Sequence, residues 1–342
     1  MVQEKRRVTI VDIARKLGIS AKSVSFGLND CGRLSDKLRI RIKEVANEMG
    51  YRPNLAARRL VTHGSYLVGA LLPYAQASFI GKLLDGIQSS TQREGIGLLL
   101  GNGGGTHEEI ERSIRQMFSY GVSGLVVMPT HFCWEVYARD LHIDGLPVVQ
   151  MMNPRMEIGN NYVEVNNVKA SAEATGHLLA LGHRNIGFVG INADDHSVRQ
   201  RTTGYKMAME NYGIQVKPEW MEDVNFGMGK EELRTRISNL LDRAPELTSL
   251  FCVTDHIAVN VLHVLLQRGV KIPEEFSLIG FDGMDIASEQ AIYPITTMVQ
   301  PQEQIGRLAG NMLLEMIAGH NGGGISLNCD LQPGATTAPP PK

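Results

Sequence analysis

A small all-α headpiece carrying a helix-turn-helix, followed by an α/β body of two lobes built on parallel sheets, is the fold class the sequence predicts. Three observations carry it. The stretch Thr9 to Asn29 (TIVDIARKLGISAKSVSFGLN) holds two short helical patterns joined at Gly18. From Tyr66 onward, buried apolar runs alternate with amphipathic helices in two successive series, the signature of parallel strands with helical crossovers. Charge is also split: residues 1–64 carry 14 Lys and Arg against 6 Asp and Glu, leaving 20 basic and 30 acidic residues for the rest, although the whole chain nets only −2. A basic head on an acidic body suits a nucleic-acid partner for the head alone.

At 342 residues, 43% hydrophobic and 20% charged, the chain exceeds one ordinary domain and has the composition of folded protein. The expected organisation is a headpiece at 1–50, a hinge or linker at 51–64 and a body at 65–342. Cys31, Cys133, Cys252 and Cys329 lie far apart with no metal or redox spacing, and read as packing residues in a reducing compartment. The start, MVQEKRRVTI, has a basic cluster but no apolar core of a signal peptide. No stretch is apolar for long enough to span a bilayer, so a cytoplasmic protein without membrane contact is expected.

In the headpiece, Ile10, Ile13, Ala14 and Leu17 form the apolar stripe of a first helix that Thr9 and Asp12 can cap. After Gly18, Ser20 caps a second helix with Val24 and Leu28 inward and Ala21, Lys22, Ser25, Phe26 and Asn29 outward. Such a helix can enter a major groove, although an ordinary helical hairpin shares the local pattern. Ser35 caps a third helix facing inward through Leu38, Ile42, Val45, Ala46 and Met49, and Gly50 stops it. Pro53 can open a segment from Asn54 to Leu60 that is too short to be a stable helix alone and needs a partner.

The body begins with strands YLVGALL (66–72), IGLLLG (96–101), GLVVM (124–128), LPVVQM (146–151) and YVEV (162–165), with helices at 81–94 and 108–120. A second series follows: helix 170–181, strand 185–190, helix 201–212, strand 222–226, helix 230–243, strand 249–254, helix 256–268 and strand 276–282. TTMVQP (296–301) and a helix at 303–318 read as a return crossing. The first lobe is thus expected at about 65–165 plus 295–320, and the second at about 166–292 plus the C-terminal segment. The Pro-rich tail PGATTAPPPK should fray.

Enzyme chemistry finds little support. GNGGG at 101–105 follows a strand but lacks the Gly-Lys-Ser/Thr ending of a phosphate loop and any GxGxxG spacing, so it reads as a flexible loop. His177 and His183 have no third ligand and read as solvated or capping histidines. Cys133 beside Trp134 has no sequence-readable base. Neither a cofactor nor a metal is expected. In the headpiece, Lys22 can reach a guanine edge or a phosphate, and Ala21 and Phe26 can offer apolar contact to a thymine methyl, while Phe26 could equally be core. Arg58, Arg59 and Leu60 could form a basic minor-groove element with an apolar wedge, though Leu60 taken singly suits a core.

VTIVDIARKLGISAKSVSFGLN, the run from Leu34 to Ala46 and GYRPNLAARRL resemble the headpiece and hinge of the lactose repressor and galactose repressor (LacI/GalR) family of bacterial transcription factors. GALLPYAQASFIGKLLDGI, GVSGLVVMP, VNNVKASAEATGHLLALGHRNIGFVG, PEEFSLIGFDG and PITTMVQP resemble that family's effector domain, in the family's order. The resemblance implies a periplasmic-binding-protein-like body with two Rossmann-like lobes. It places Thr9, Ser20, Ala21, Lys22, Ser25, Phe26 and Asn29, with Asn54, Ala57, Arg58 and Leu60 of the hinge, among the DNA contacts, Leu60 as the wedge. It puts Ser78, Phe79, Asn153, Arg201, Phe226, Asp255 and Asp282 around an effector between the lobes. Phe26 departs from the polar residue common there, and Gly334 replaces an Arg that commonly precedes the family's Ser/Thr pair. Asp195 stands where some purine-responsive members have Arg, which favours a sugar-like effector.

The expected function is a homodimeric repressor, whose dimers could pair into tetramers, binding palindromic double-stranded operator DNA and switched by a small effector, a sugar or sugar derivative. A plain sugar-binding protein is disfavoured by the basic head, and a dinucleotide or sugar-phosphate enzyme by the missing loops.

Overall fold

The computed structural model describes residues 8–52, 67–73, 77–130, 134–141, 145–192, 195–225, 227–288 and 293–341. Contacts divide the chain into two compact units, Met1–Gly64 and Ser65–Lys342. In the first, α1 (Ile10–Leu17), α2 (Ala21–Leu28) and α3 (Asp36–Glu48) form the headpiece. Thr9 and Asp12 make a reciprocal capping box on α1, and Gly18 closes it in the left-handed conformation, φ 66°. Such a cap contributes about 1 kcal/mol. Ser20 caps α2 and Ser35 caps α3 through their side chains. Ile13, Val24, Ile42 and Val45 are fully buried in a shared core, and each such side chain contributes about 1.5–3 kcal/mol by leaving water. Gly27 lets α2 approach α3 closely, since a Cβ there would lie 2.5 Å from Ile42 Cδ1. Gly27, more than the half-buried Leu28, therefore sets the inner side of α2.

The first lobe of the body is a parallel sheet in the order β11-β5-β4-β3-β1-β2. Its strands are β1 (Leu67–Leu72), β2 (Gly97–Asn102), β3 (Leu125–Val127), β4 (Val148–Met151), β5 (Tyr162–Val165) and β11 (Gly324–Leu327). Strand periodicity sorts the core: Val68, Ala70, Leu72 and Val126 face one hydrophobic cluster, while Leu71, Leu125 and Val127 face another. The first cluster takes in α4 (Ala77–Arg93) and α12 (Gln302–Ile317), the second α5 (His107–Ser119) and α6 (Trp134–Asp140).

The second lobe repeats the plan in the order β12-β10-β9-β8-β6-β7. These are β6 (Ile186–Asn192), β7 (Met221–Asn225), β8 (Ser249–Cys252), β9 (Ser277–Asp282), β10 (Thr296–Val299) and β12 (Asp330–Gln332). All pairings are parallel except β10 with β12. Helices α7 (Asn167–Ala180), α8 (His196–Asn211), α9 (Lys230–Arg243), α10 (Asp255–Gln267) and the short α11 (Asp285–Ser288) complete it.

Several expectations need correction. The segment 295–320 does not all belong to the first lobe: β10 pairs with β9, and only α12 packs on the first sheet. Conversely β11, expected in the second lobe, pairs with β5 of the first. Helix α8 starts at His196 rather than Arg201 because Asp195 caps it. The tail is pinned rather than frayed. Thr336 is fully buried, its Oγ1 donates to the Leu278 carbonyl (2.7 Å), and the Ala338 carbonyl accepts from Ser277 Oγ (3.0 Å). His183 is buried, bridging Thr248 Oγ1 and the Ala338 carbonyl at 2.8 Å each, so it is not a solvated histidine. The GNGGG loop is held too, since the Gly103 amide donates to the Leu72 carbonyl and Tyr137 Oη donates to the Gly103 carbonyl. At Gly334 any side chain would meet the Pro294 carbonyl, so this chain leaves no room for an Arg there.

Each lobe contains a helix pair in backbone contact. A Cβ at Gly306 of α12 would stand against the Leu83 carbonyl of α4, and one at Gly86 against the Glu303 carbonyl. Gly204 of α8 meets the Val168 carbonyl of α7 in the same way. Neither backbone can move aside without unpacking a buried helix face. We expect Gly306→Val to cost about 2–3 kcal/mol by overpacking, read as a lower urea midpoint with an unchanged m-value.

Candidate functional site

The polar centre of the body is Arg201 on α8, whose side chain is only 6% exposed, as is that of Asp282 at the end of β9. Arg201 Nη1 donates to Asp282 Oδ1 (3.1 Å) and to the Val253 carbonyl (2.6 Å), and Nε donates to Asn167 Oδ1 (2.9 Å). The guanidinium lies 3.7 Å from the centre of the Phe281 ring, and a cation over a desolvated ring is attracted to it. Nη2 has no protein partner among the described residues. Asp282 Oδ1 also accepts from Gln300 Nε2 (2.8 Å), while Oδ2 is left without a protein donor among those residues. Asp282 has φ 115°, rare for a residue other than glycine, and such strain clusters at functional positions. Burial pushes its carboxyl above the usual range, while the Arg201 charge and the Gln300 hydrogen bond pull it down.

Asp255 at the start of α10 is different in kind. It is fully buried, and its two oxygens accept from Thr297 Oγ1 (2.6 Å) and the Met284 amide (2.7 Å). Burial first, then the neighbouring Asp282 charge, push it up to about 7. Its hydrogen bonds fix the loop between β9 and α11, so its effect on any ligand passes through that loop. Phe79, also expected at the effector, is 3% exposed and part of the first-lobe core. The Ser78 side chain and Phe226 fall outside the described residues.

Groups of the two lobes meet directly. Asn153, following β4, donates from Nδ2 to Asp195 Oδ2 (3.0 Å) and accepts the His196 amide on Oδ1 (3.0 Å). Lys82 of α4 pairs with Asp285 of α11 at 2.6 Å. Glu164 of β5 places Oε2 3.6 Å from His196 Nε2, and burial pushes the Glu164 carboxyl up to about 7. A cavity of about 230 Å³ opens at the carboxyl ends of β6, β7 and β8, lined by Ile191, Asn225, Thr254, His256, Ile257 and Met284 among others. Ligands of open parallel sheets collect at such strand ends. Sequence reasoning did not single out Asn225, Thr254, His256 and Met284, although each lies within two residues of the end of a predicted strand. Among the described residues, no group of three or more His, Cys, Asp or Glu could hold a metal.

In the headpiece, Lys22 is exposed on α2, with its ammonium 5.6 Å from the centre of the half-buried Phe26 ring. Thr9 is engaged with Asp12, Ser20 with Ser23, and Asn29 Nδ2 donates to the Ser25 carbonyl, so these groups also hold the helices together. Ala21 is half-buried on the first turn of α2. Asn54, Ala57, Arg58 and Leu60 fall outside the described residues.

A helix-turn-helix headpiece joined to a two-lobed parallel α/β body defines the class of DNA-binding proteins with a binding-protein-like body. Residues 9–54 match the model of bacterial regulatory proteins of the lacI family, and residues 175–337 that of a periplasmic binding protein-like domain. The chain is 28% identical over 310 residues to the HTH-type transcriptional repressor PurR of Vibrio campbellii, covering 90% of this chain and 92% of that protein. It is 27% identical to the ribose operon repressor of Haemophilus influenzae, covering 92% and 93%. In fold it is similar to the lac repressor dimer bound to operator and an anti-inducer, with TM-score 0.84, 21% identity, and 97% and 100% of the two chains covered. The chain belongs to the LacI family, and it is a DNA-binding transcriptional regulator rather than an enzyme.

Two outcomes follow from the charges. Arg201→Met would strand Asp282 as a buried charge, so unfolding should become easier by about 3–5 kcal/mol, with Asp282→Asn in the same chain recovering part of the loss. Glu164 keeps its proton when folded up to about 7, whereas the unfolded chain ionises near 4.5. Its contribution is therefore complete below about 4.5 and lost as pH rises through about 7. Thermal melts of Glu164→Gln should show a flatter pH profile between pH 5 and 7 than the wild type.

Proposed function

We propose that this protein is a homodimeric repressor that acts in the cytoplasm, binds a palindromic operator through two headpieces, and is switched by a sugar or sugar derivative held between its lobes. The observation that carries the effector class is the Arg201–Asp282 pair. One donor of this pair, Nη2, and one acceptor, Oδ2, have no protein partner among the described residues. Such a pair can satisfy adjacent hydroxyls of a polyol. Asn153 and the Lys82–Asp285 pair bring the two lobes together. A ligand that binds the closed arrangement better shifts the population toward it. A two-fold dimer explains why one headpiece suffices per half-site. Ala21, Lys22 and Phe26 read bases from α2, and paired hinge segments place Leu60 between base pairs in the minor groove.

A second reading rests on the cavity at the strand ends of the second lobe. Ile191, Val224, Leu233, Ile257, Met228 and Met284 make most of its wall apolar, which suits a planar heterocycle or an apolar substituent on a sugar.

A panel of pentoses, hexoses, disaccharides and nucleobases, screened by thermal stabilisation, separates the two. A true effector at a hundred times its Kd should stabilise the body by about 2.7 kcal/mol. The same compound should alter binding to a duplex selected by the protein from a random pool. That binding should fall steeply with salt. Stabilisation by nucleobases alone would overturn the sugar assignment, and operator binding indifferent to salt would overturn the phosphate-anchored headpiece.

A further inference from the structure

We infer that Gly32, which lies outside the recognition helix, is a positioning residue for base reading: it seats the Phe26 ring, and the ring in turn sets the place of the Lys22 ammonium. This rests on the headpiece reading DNA through α2.

Three observations support it. Gly32 has φ 69°, and a Cβ built on it would lie 2.8 Å from Phe26 Cγ and 2.9 Å from Phe26 Cε2. The ring therefore covers the bare backbone of Gly32 at a distance no side chain permits. The loop that carries Gly32 cannot easily retreat. The Cys31 amide donates to the Phe26 carbonyl (3.1 Å), Arg39 Nη2 donates to the Gly32 carbonyl (3.4 Å), and Lys43 Nζ donates to Asp30 Oδ1 (2.7 Å), tying the loop to α2 and α3. Phe26, half-buried, lies outside the buried cluster of Ile13, Val24, Ile42 and Val45.

Lys22 is one turn earlier on α2. Its ammonium stands 5.6 Å from the ring centre, within the range in which a ring face attracts a cation. Among the described residues Lys22 has no carboxylate partner. The ring of Phe26 thus touches both the Gly32 backbone and the neighbourhood of the ammonium. An ammonium held this way can meet the O6 and N7 acceptors of a guanine, while the ring edge can contact a thymine methyl on a neighbouring pair. A side chain at Gly32 would push the ring outward and shift both contacts together.

The test selects duplexes from a randomised library with the full-length protein. Gly32→Ala and Phe26→Ala should change base preference at the same one or two positions of each half-site, by about tenfold in relative affinity. Gly50→Ala is the control: Gly50 also has φ 67°, but nothing lies within 4 Å of its Cβ position. It should carry similar backbone strain and keep the wild-type preference. Wild-type selection together with an unmoved Gly32→Ala preference, or with losses proportional at every position, overturns this inference alone. A wild-type protein that enriches no sequence overturns base reading by α2 and this inference with it. If Gly32→Ala fails to fold, Phe26→Leu, which leaves Gly32 untouched, should move the preference at the same positions, and an unmoved preference there overturns the inference.

Discussion

A charged arginine taken out of water must be neutralised and hydrogen-bonded, and much of the body is arranged around meeting that need for Arg201. Asn167, which follows the passage from the first lobe to the second, supports its Nε. Gln300 and Gln302, on the passage back, hold the side chain and the carbonyl of Asp282. Two of the connections between lobes therefore end on the same ion pair. Under the proposed switch, the groups that would meet an effector are bonded to the segments that join the lobes. Effector binding at this pair would then share one set of hydrogen bonds with the geometry of the lobes.

The headpiece was largely legible because its signals are local. Thr9 with Asp12, Gly18, Ser20 and Ser35 each act within a few residues, where capping chemistry decides the outcome. Strands of the body were legible because they are buried on both faces and read as unbroken apolar runs. Lobe membership of the last segments was not. β10 and β11 are short, and nothing in TTMV or GISL specifies which of two similar sheet edges will accept it.

Within the site, residue type alone could not separate Arg201 and Asp282 from Asp255. All are buried ionisable groups near strand ends, yet Asp255 spends its oxygens on Thr297 and Met284. That distinction depends on partners distant in sequence. His183 failed for the same reason, since its partners Thr248 and Ala338 lie 65 and 155 residues away. Thr254 and Met284 were overlooked because a threonine or methionine carries no charge to draw notice. Only their position, just past a strand, marks them.

The glycine contacts between α4 and α12 and between α7 and α8 have a mechanical consequence. Helices locked backbone to backbone cannot slide without breaking many contacts at once, so each lobe resists shear. Flexing is left to the passages near Asn166, Pro301 and Asn328, where the chain leaves one sheet for the other. Each lobe then behaves as a stiff lever, and a rotation of a few degrees at its pivot becomes a displacement that grows with distance along it.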